Sequence, residues 1–223
     1  VVGGIEELRK RPIISGAVGS APPIQFPESA CENLLGIAKY RLPSLCFGMG
    51  QSGIGSPIFM AGTMAVGLAS DLAANTLLNM AYPGAPTVHS VLNQPSDMYT
   101  GVLALSAPET ILGSAAGTQI MHELYDVPNG AWGICSTSKV PDEQAAYEMA
   151  MGGSLSMLAG HDHNWCCHLE AERIFTVEGA LIVNEVNSYL HNLSRRFEDL
   201  RPTPEYLAFD AIRECGPTGT CLR

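Results

Sequence analysis

Apolar stretches of strand length recur at 12–18, 42–49, 85–92, 131–135 and 156–160, and each precedes material with helical character. The segment 28–40 carries Leu34, Leu35, Ile37 and Ala38 at helical spacing behind Pro27, a residue suited to a helix start. The segment 110–124 opens on Ala107-Pro108-Glu109, repeats Ile111, Leu112, Ala115, Ile120 and Leu124 on one side, and closes at Pro128. Pro141-Asp142-Glu143-Gln144 sets proline and acids in a first turn, where the helix dipole favours negative charge, and leads into 145–151. The stretch 57–83 is the longest apolar one. Asp71, Asn75, Asn79, Gly62 and Gly67 interrupt it, so it reads as a buried helix and not as a membrane span. Beyond Gly160 a polar loop, 161–168, leads to helical segments at 169–196 and 204–215.

Strand spacings of about 25 to 45 residues fit βα units of a barrel or a doubly wound sheet, and only about five such units fit. Either arrangement collects the loops after the strands on one side of the sheet, among them the glycine-rich stretch 50–61. With 223 residues, 46% hydrophobic and 15% charged, the chain can bury one sizeable core, and it reads as a single domain over 1–223. The net charge of −10 argues against nucleic acid, which needs clustered Lys and Arg, and favours cations over anions. Seven cysteines at irregular spacing do not form a disulfide framework, and no charged-then-apolar leader opens the chain. A cytoplasmic, thiol-reducing location is expected. The start at Val1-Val2-Gly3-Gly4, without an initiator methionine, reads as if cut from something longer.

Several stretches, in order along nearly the whole chain, resemble the trimethylamine methyltransferase (MttB-like) superfamily of corrinoid-dependent methyltransferases. They are Arg11-Pro12-Ile13-Ile14-Ser15-Gly16, Gly55-Ser56-Pro57-Ile58-Phe59-Met60-Ala61-Gly62, Tyr82-Pro83-Gly84-Ala85-Pro86, Ala107-Pro108-Glu109, Ser138-Lys139-Val140-Pro141-Asp142-Glu143-Gln144 with the following Ala145-Ala146-Tyr147-Glu148, and Asp210-Ala211-Ile212-Arg213-Glu214-Cys215-Gly216-Pro217-Thr218-Gly219. The resemblance implies an α/β fold of the TIM-like (β/α) barrel type. Family members are roughly twice as long, so the chain corresponds to their carboxyl-terminal part: an incomplete barrel of about five βα units with a helical carboxyl-terminal segment. The implied activity moves a methyl group from a methylated amine to the cobalt of a corrinoid on a separate carrier protein, as in methanogenesis. The closing Gly216-Pro217-Thr218-Gly219-Thr220-Cys221-Leu222 departs from the family's Gly-Pro-Gly-Gly-x-Phe-Leu. No pyrrolysine is present, which shifts the expected substrate toward a quaternary amine such as a betaine. The implied partners are the methylated amine, the corrinoid carrier, and either further copies of the chain or a missing barrel portion. No tightly bound metal is expected.

Displacement at a methyl carbon asks the protein to hold a bulky cation and exclude water, tasks for aromatic faces and carboxylates. Loop residues after predicted strands are Met49, Gln51 and Ser52; His89, Gln94, Asp97 and Tyr99; Ser136, Ser138 and Lys139; and His161 with Asp162, all expected on one rim. Among them His89, Asp97 and His161 are the catalytic candidates, Gln51, Gln94, Tyr99, Ser136 and Ser138 the substrate-binding ones. Lys139, Asp142 and Gln144 are the candidates for contact with the corrinoid. Of the aromatic residues, Phe47 and Trp132 lie in apolar strands and read as core, while Tyr99 and Trp165 lie in polar loops. Glu148 reads either as a solvated helix position or as a ligand contact. The histidines and cysteines of 161–168 open two alternatives: a metal-dependent barrel hydrolase using His161 and His163, or, against all catalysis, a truncated barrel piece that binds a partner chain. Cys166 beside His168 is a poor nucleophile and base pair, because adjacent side chains rarely face each other.

Overall fold

The five predicted parallel units are present, but the fifth strand is not where the apolar pattern places it. A computed structural model describes residues 3–21, 24–196, 200–217 and 219; of Ala131, Cys166, Cys167 and His168 it describes the backbone alone. Strands β1 (Gly16–Gly19), β2 (Ser44–Phe47), β3 (Gln51–Ser52), β4 (Thr87–Val88), β5 (Gln94–Pro95), β6 (Gly130–Cys135) and β7 (His163–His168) alternate with helices. These are α1 (Ile5–Lys10), α2 (Glu28–Lys39), α3 (Met60–Ala81), α4 (Pro108–Ile120), α5 (Glu143–Ala159) and α6 (Val177–Arg196), then the short α7 (Pro204–Leu207) and α8 (Phe209–Cys215).

All strand pairs are parallel: β1 with β2, β2 with β4, β3 with β5, and β6 with β7. Parallel bridges Gly48 to Val91 and His89 to Asn129 join the short ladders. The strands therefore follow one another in chain order: β1, then β2 running into β3, then β4 running into β5, then β6, then β7. Successive helices pack on one another, α2 on α3, α3 on α4, α4 on α5 and α5 on α6, which makes one helical layer on one face. The result is a mixed α/β wall of short parallel strands in chain order with helices on one face. Among the described residues the wall is not closed into a barrel, and β1 and β7 pair on one side only.

The stretch 156–160, read as a strand, is the last turn of α5. Met149, Gly152, Gly153 and Ser156 are buried at helical spacing, and Gly160, at φ 82°, ends the helix in the left-handed region. The polar stretch 161–168, read as a loop, contributes β7. Edge strands need no continuous apolar run, so a criterion based on apolarity passes over this one. The helix expected at 169–196 begins only at Val177.

Helices and strands meet through glycine. A Cβ on Gly48 would lie 1.9 Å from the Gly67 carbonyl oxygen of α3, one on Gly117 of α4 2.4 Å from that of Val91, and one on Gly152 of α5 1.9 Å from that of Gly133. The layers approach at backbone distance, which explains helices rich in small residues. Apolar clusters fill the rest: Val18, Leu34, Cys46 and Leu78 at one end of the wall, Met64, Val91 and Met121 at its middle, Ile134, Met149, Leu169 and Val183 at the other. No helix among the described residues is long and apolar enough to cross a membrane. Cys215 is disulfide-bonded, a departure from the expected thiol-reducing setting, whereas Cys31 and Cys46 are thiols.

Candidate active site

Strand alternation decides which side chains turn away from the helices. Val18 and Cys46 pack with α2 and α3, so their neighbours Gly19 and Phe47 project to the helix-free face. Gly19 is the register partner of Phe47, and a Cβ there would sit 2.3 Å from the ring; glycine leaves room for the ring beside β1. Three rings meet on this face, all edge-on: Phe47 to Trp165 at 4.8 Å between centroids, Trp132 to Trp165 at 4.2 Å, and Phe47 to Trp132 at 6.4 Å. Leu92, Leu103, Leu105, Cys135 and Ala171 close around them.

At the carboxyl ends of β3 and β5 the same alternation operates. Ser52 donates to Asn93 Oδ1 at 2.7 Å and lies 3.0 Å from the Thr63 hydroxyl of α3, while Asn93 Nδ2 donates to the Glu109 carbonyl at 3.1 Å. Both therefore face the helices. Gln51 and Gln94, their chain neighbours and register partners of each other, turn to the helix-free face. Gln94 is 1% exposed, and its Oε1 accepts no hydrogen bond among the described residues. An amide oxygen buried without a donor costs about 1–3 kcal/mol, so the position is suited to a donor or a positive charge brought by a ligand.

After β6 the chain is tied to α5 through Glu148. The carboxylate accepts from Ser136 Oγ at 2.6 Å, Thr137 N at 2.8 Å, Thr137 Oγ1 at 3.1 Å and Gln144 Nε2 at 2.9 Å. Burial pushes its pKa up, but the hydrogen bonds from Ser136, Gln144 and Thr137 outweigh it and hold the group below the usual glutamate range. Ser138 Oγ donates to the Val140 carbonyl at 3.0 Å. Asp142 caps α5 by accepting from Ala145 N at 3.0 Å, which with a Ser138 bond lowers its pKa. Lys139 lies exposed, 3.6 Å from Glu170. After β7, Glu170, Ala171 and Glu172 all have positive φ, at 44°, 51° and 75°, three consecutive non-glycine residues in a region that disfavours a Cβ. Burial pushes the Glu172 carboxyl up to about 7, a shift that the water still reaching its side chain limits.

The expected single rim forms only in part. Gln51, Gln94, Asp97, Tyr99, Ser136, Ser138 and Lys139 follow strands at the carboxyl end. Asp97 organises its own turn, accepting from Tyr99 N at 2.8 Å and Thr100 Oγ1 at 2.9 Å, bonds that lower its pKa; Tyr99 is 97% exposed at the tip. His89 is absent from the rim. It is 1% exposed beneath α3, with Nδ1 2.5 Å from Asp71 Oδ2 and Nε2 3.3 Å from the Thr87 hydroxyl. Burial raises the Asp71 pKa against the lowering effect of His89. Burial first, and then Asp71, pushes the neighbouring Cys46 thiol up to about 12.

His161 and Asp162 lie at the opposite end of the sheet, because they precede β7 instead of following a strand. Asp162 Oδ2 accepts from Asn129 N at 2.8 Å and lies 2.8 Å from His122 Nε2, in a π-helical turn over Met121–Tyr125 that ends α4. The His161 ring meets the Ser114 carbonyl and Asn164 Oδ1, both at 3.3 Å, while the His163 ring packs beside Gly130; burial lowers the pKa of each. The two do not converge, and among the described residues no three His, Cys, Asp or Glu side chains come together as a metal site. The side chains of Cys166 and His168 lie outside the described residues.

The profile of the family described as trimethylamine methyltransferase (MTTB) matches residues 1–222. The chain belongs to that family. It is similar to a trimethylamine methyltransferase of Desulfitobacterium hafniense, 30% identical over 224 residues, 100% of this chain and 44% of the relative. A trimethylamine methyltransferase of Methanosarcina mazei is 29% identical over 215 residues, 96% of this chain and 43% of the relative. A glycine betaine methyltransferase of D. hafniense is 26% identical over 224 residues, 99% of this chain and 46% of the relative. The chain thus spans less than half the length of these curated relatives.

Proposed function

We propose that this chain forms part of a methyltransferase that takes a methyl group from a tertiary or quaternary amine, with the helix-free face of its sheet as the amine site. Family membership supports methyl transfer, and the meeting of Phe47, Trp132 and Trp165 near the end of the wall that carries the buried Gln94 amide is the observation that carries the site. A quaternary nitrogen has no lone pair to protonate, so the protein's work is to hold the cation in line and keep water out. Ring faces attract such a cation by about 0.5–2 kcal/mol per contact, and the Gln94 oxygen offers its negative end to the same charge. Leu103, Leu105 and Ala171 exclude solvent from the rings. A corrinoid on a carrier protein would supply the Co(I) nucleophile, and the electron pair of the broken C–N bond would leave with nitrogen. Of the residues expected to meet it, Asp142 is committed to capping α5 and Gln144 to Glu148. Lys139 keeps an exposed, loosely held charge and is the one suited to the carrier. A second reading, that the chain works with another barrel portion, is favoured by β1 and β7, which pair on one side only among the described residues, since parallel strands are seldom left open.

The test follows the cobalt absorption of a Co(I) corrinoid when the folded protein and single amines are added. Methylation with one tertiary or quaternary amine is expected, and Trp165→Ala should lower kcat/KM for it by about 10- to 30-fold, the worth of one or two ring contacts. If no amine reacts with folded protein, and adding the remainder of a full-length relative does not restore transfer, the reading fails.

A further inference from the structure

A second cleft, of about 320 Å³, opens on the outer side of the wall between α4 and α5. It lies at the lower end of the range for small-molecule sites, about 300–1,000 Å³. Its walls are mostly apolar, including Pro108, Ile111, Met151 and Leu155, with the Tyr147 ring at its side. Among the described residues one full charge lines it, the Glu148 carboxylate. The hydrogen bonds from the 136–137 segment and Gln144 keep Glu148 ionised at neutral pH, and among the described residues no Lys, Arg or His pairs with it.

The state of that carboxylate restricts what it can recruit. A carboxylate has about four acceptor sites, and four donors already occupy them: Ser136 Oγ and Thr137 N on Oε2, Gln144 Nε2 and Thr137 Oγ1 on Oε1. A primary ammonium or a guanidinium would have to displace one of these donors to make its own hydrogen bond. A cation without N–H asks for none, and is drawn by charge and by apolar contact alone. We propose that the α4–α5 cleft is a binding site for a small quaternary ammonium ion, separate from the helix-free face. The carboxylate supplies the charge, Tyr147 a ring, and Ile111, Met151 and Leu155 the apolar seat for the methyl groups.

The experiment titrates ¹⁵N-labelled protein with choline, with its uncharged carbon isostere 3,3-dimethylbutan-1-ol, and with methylammonium, following backbone amides and the Trp132 and Trp165 indoles. Choline should shift the amides of Thr137, Glu148 and Met151 saturably, with the isostere and methylammonium each about 10-fold weaker or more, a difference of about 1.4 kcal/mol. Glu148→Gln should remove the preference for charge while keeping isostere binding. Leu155→Trp, at a position that makes none of the Glu148 bonds, should block both ligands without moving the Ser136 to Ser138 amides. Trp165→Ala should leave the site intact. Equal binding of choline and the isostere overturns the proposal. So do choline shifts that survive Glu148→Gln, and so does saturable binding confined to the indoles, which would assign the cation to the helix-free face alone.

Discussion

Glu172 remains open to solvent, yet the surrounding segment of three consecutive left-handed residues strips enough water from its carboxyl to hold the proton to higher pH than in the unfolded chain. Because its folded pKa lies above its unfolded value, the native state is favoured by protonation. That stability is complete below the unfolded pKa of about 4.5 and is lost as pH rises through about 7. Glu172→Gln is therefore expected to raise Tm relative to the parent at pH 8 and to leave it unchanged at pH 4. The gain should stay below about 1 kcal/mol, since solvent reaches the side chain. Thermal melts at the two pH values read the difference, and a gain confined to pH 4 would contradict it. At this scale the sequence was partly legible. Gln51 and Gln94 stand at the ends of apolar runs and could be placed by position. Phe47 and Trp132 read as core, and they are packed on the sheet. Their meeting with Trp165 could not be read, because Trp165 falls in a stretch too polar to look like a strand. His89 misled for the converse reason: it lies inside the apolar run 85–92 and not after it, and its side chain turns toward Asp71.

Glycine at the helix-to-strand contacts makes the elements unusually sensitive to single methyl groups. Gly152→Ala would set a Cβ 1.9 Å from the Gly133 carbonyl oxygen and force α5 away from β6. A loss of about 2–3 kcal/mol is expected, seen as a fall in Tm of about 5–10 °C. Gly36, exposed on α2 with open space for 4 Å around the place a Cβ would take, is the control: Gly36→Ala should stabilise by about 0.5–1 kcal/mol through helix propensity alone. Urea titrations of the two variants should move in opposite directions, and equal losses would mean that the close contacts carry no special weight. The elements were largely legible in α2, whose apolar positions keep helical spacing, in α3, marked by its long apolar stretch, and in α4, marked by Pro108 at its start. The end of α5 was misread because Leu155, Met157 and Leu158 continue an apolar run whose buried positions are set by helical spacing. The π-helical turn after α4 left no signal, since its extra residue falls among polar and apolar positions alike.

For the whole molecule, a sequence of βα units was legible and its openness was suggested by length, while the chain-order strands and the single helix layer came only with the structure. Hydrogen exchange should reflect that order. Amides of β2, β4 and β6 are expected to be the slowest, and those of β1 and β7, which pair on one side only among the described residues, to exchange earlier together with α2 and α6. Uniform protection across all strands would argue for a single cooperative unit. The principal contacts between elements join a unit to itself or to the next one along the chain. Energetically the wall is close to one-dimensional, and its stability is a sum of unit terms and junction terms, as in a repeat array. Such an array can be severed at a junction, for example at the exposed Pro83-Gly84 between α3 and β4, and each piece keeps a complete mating surface for the other. Reassembly from complementary fragments is built into the order in which the strands are laid down.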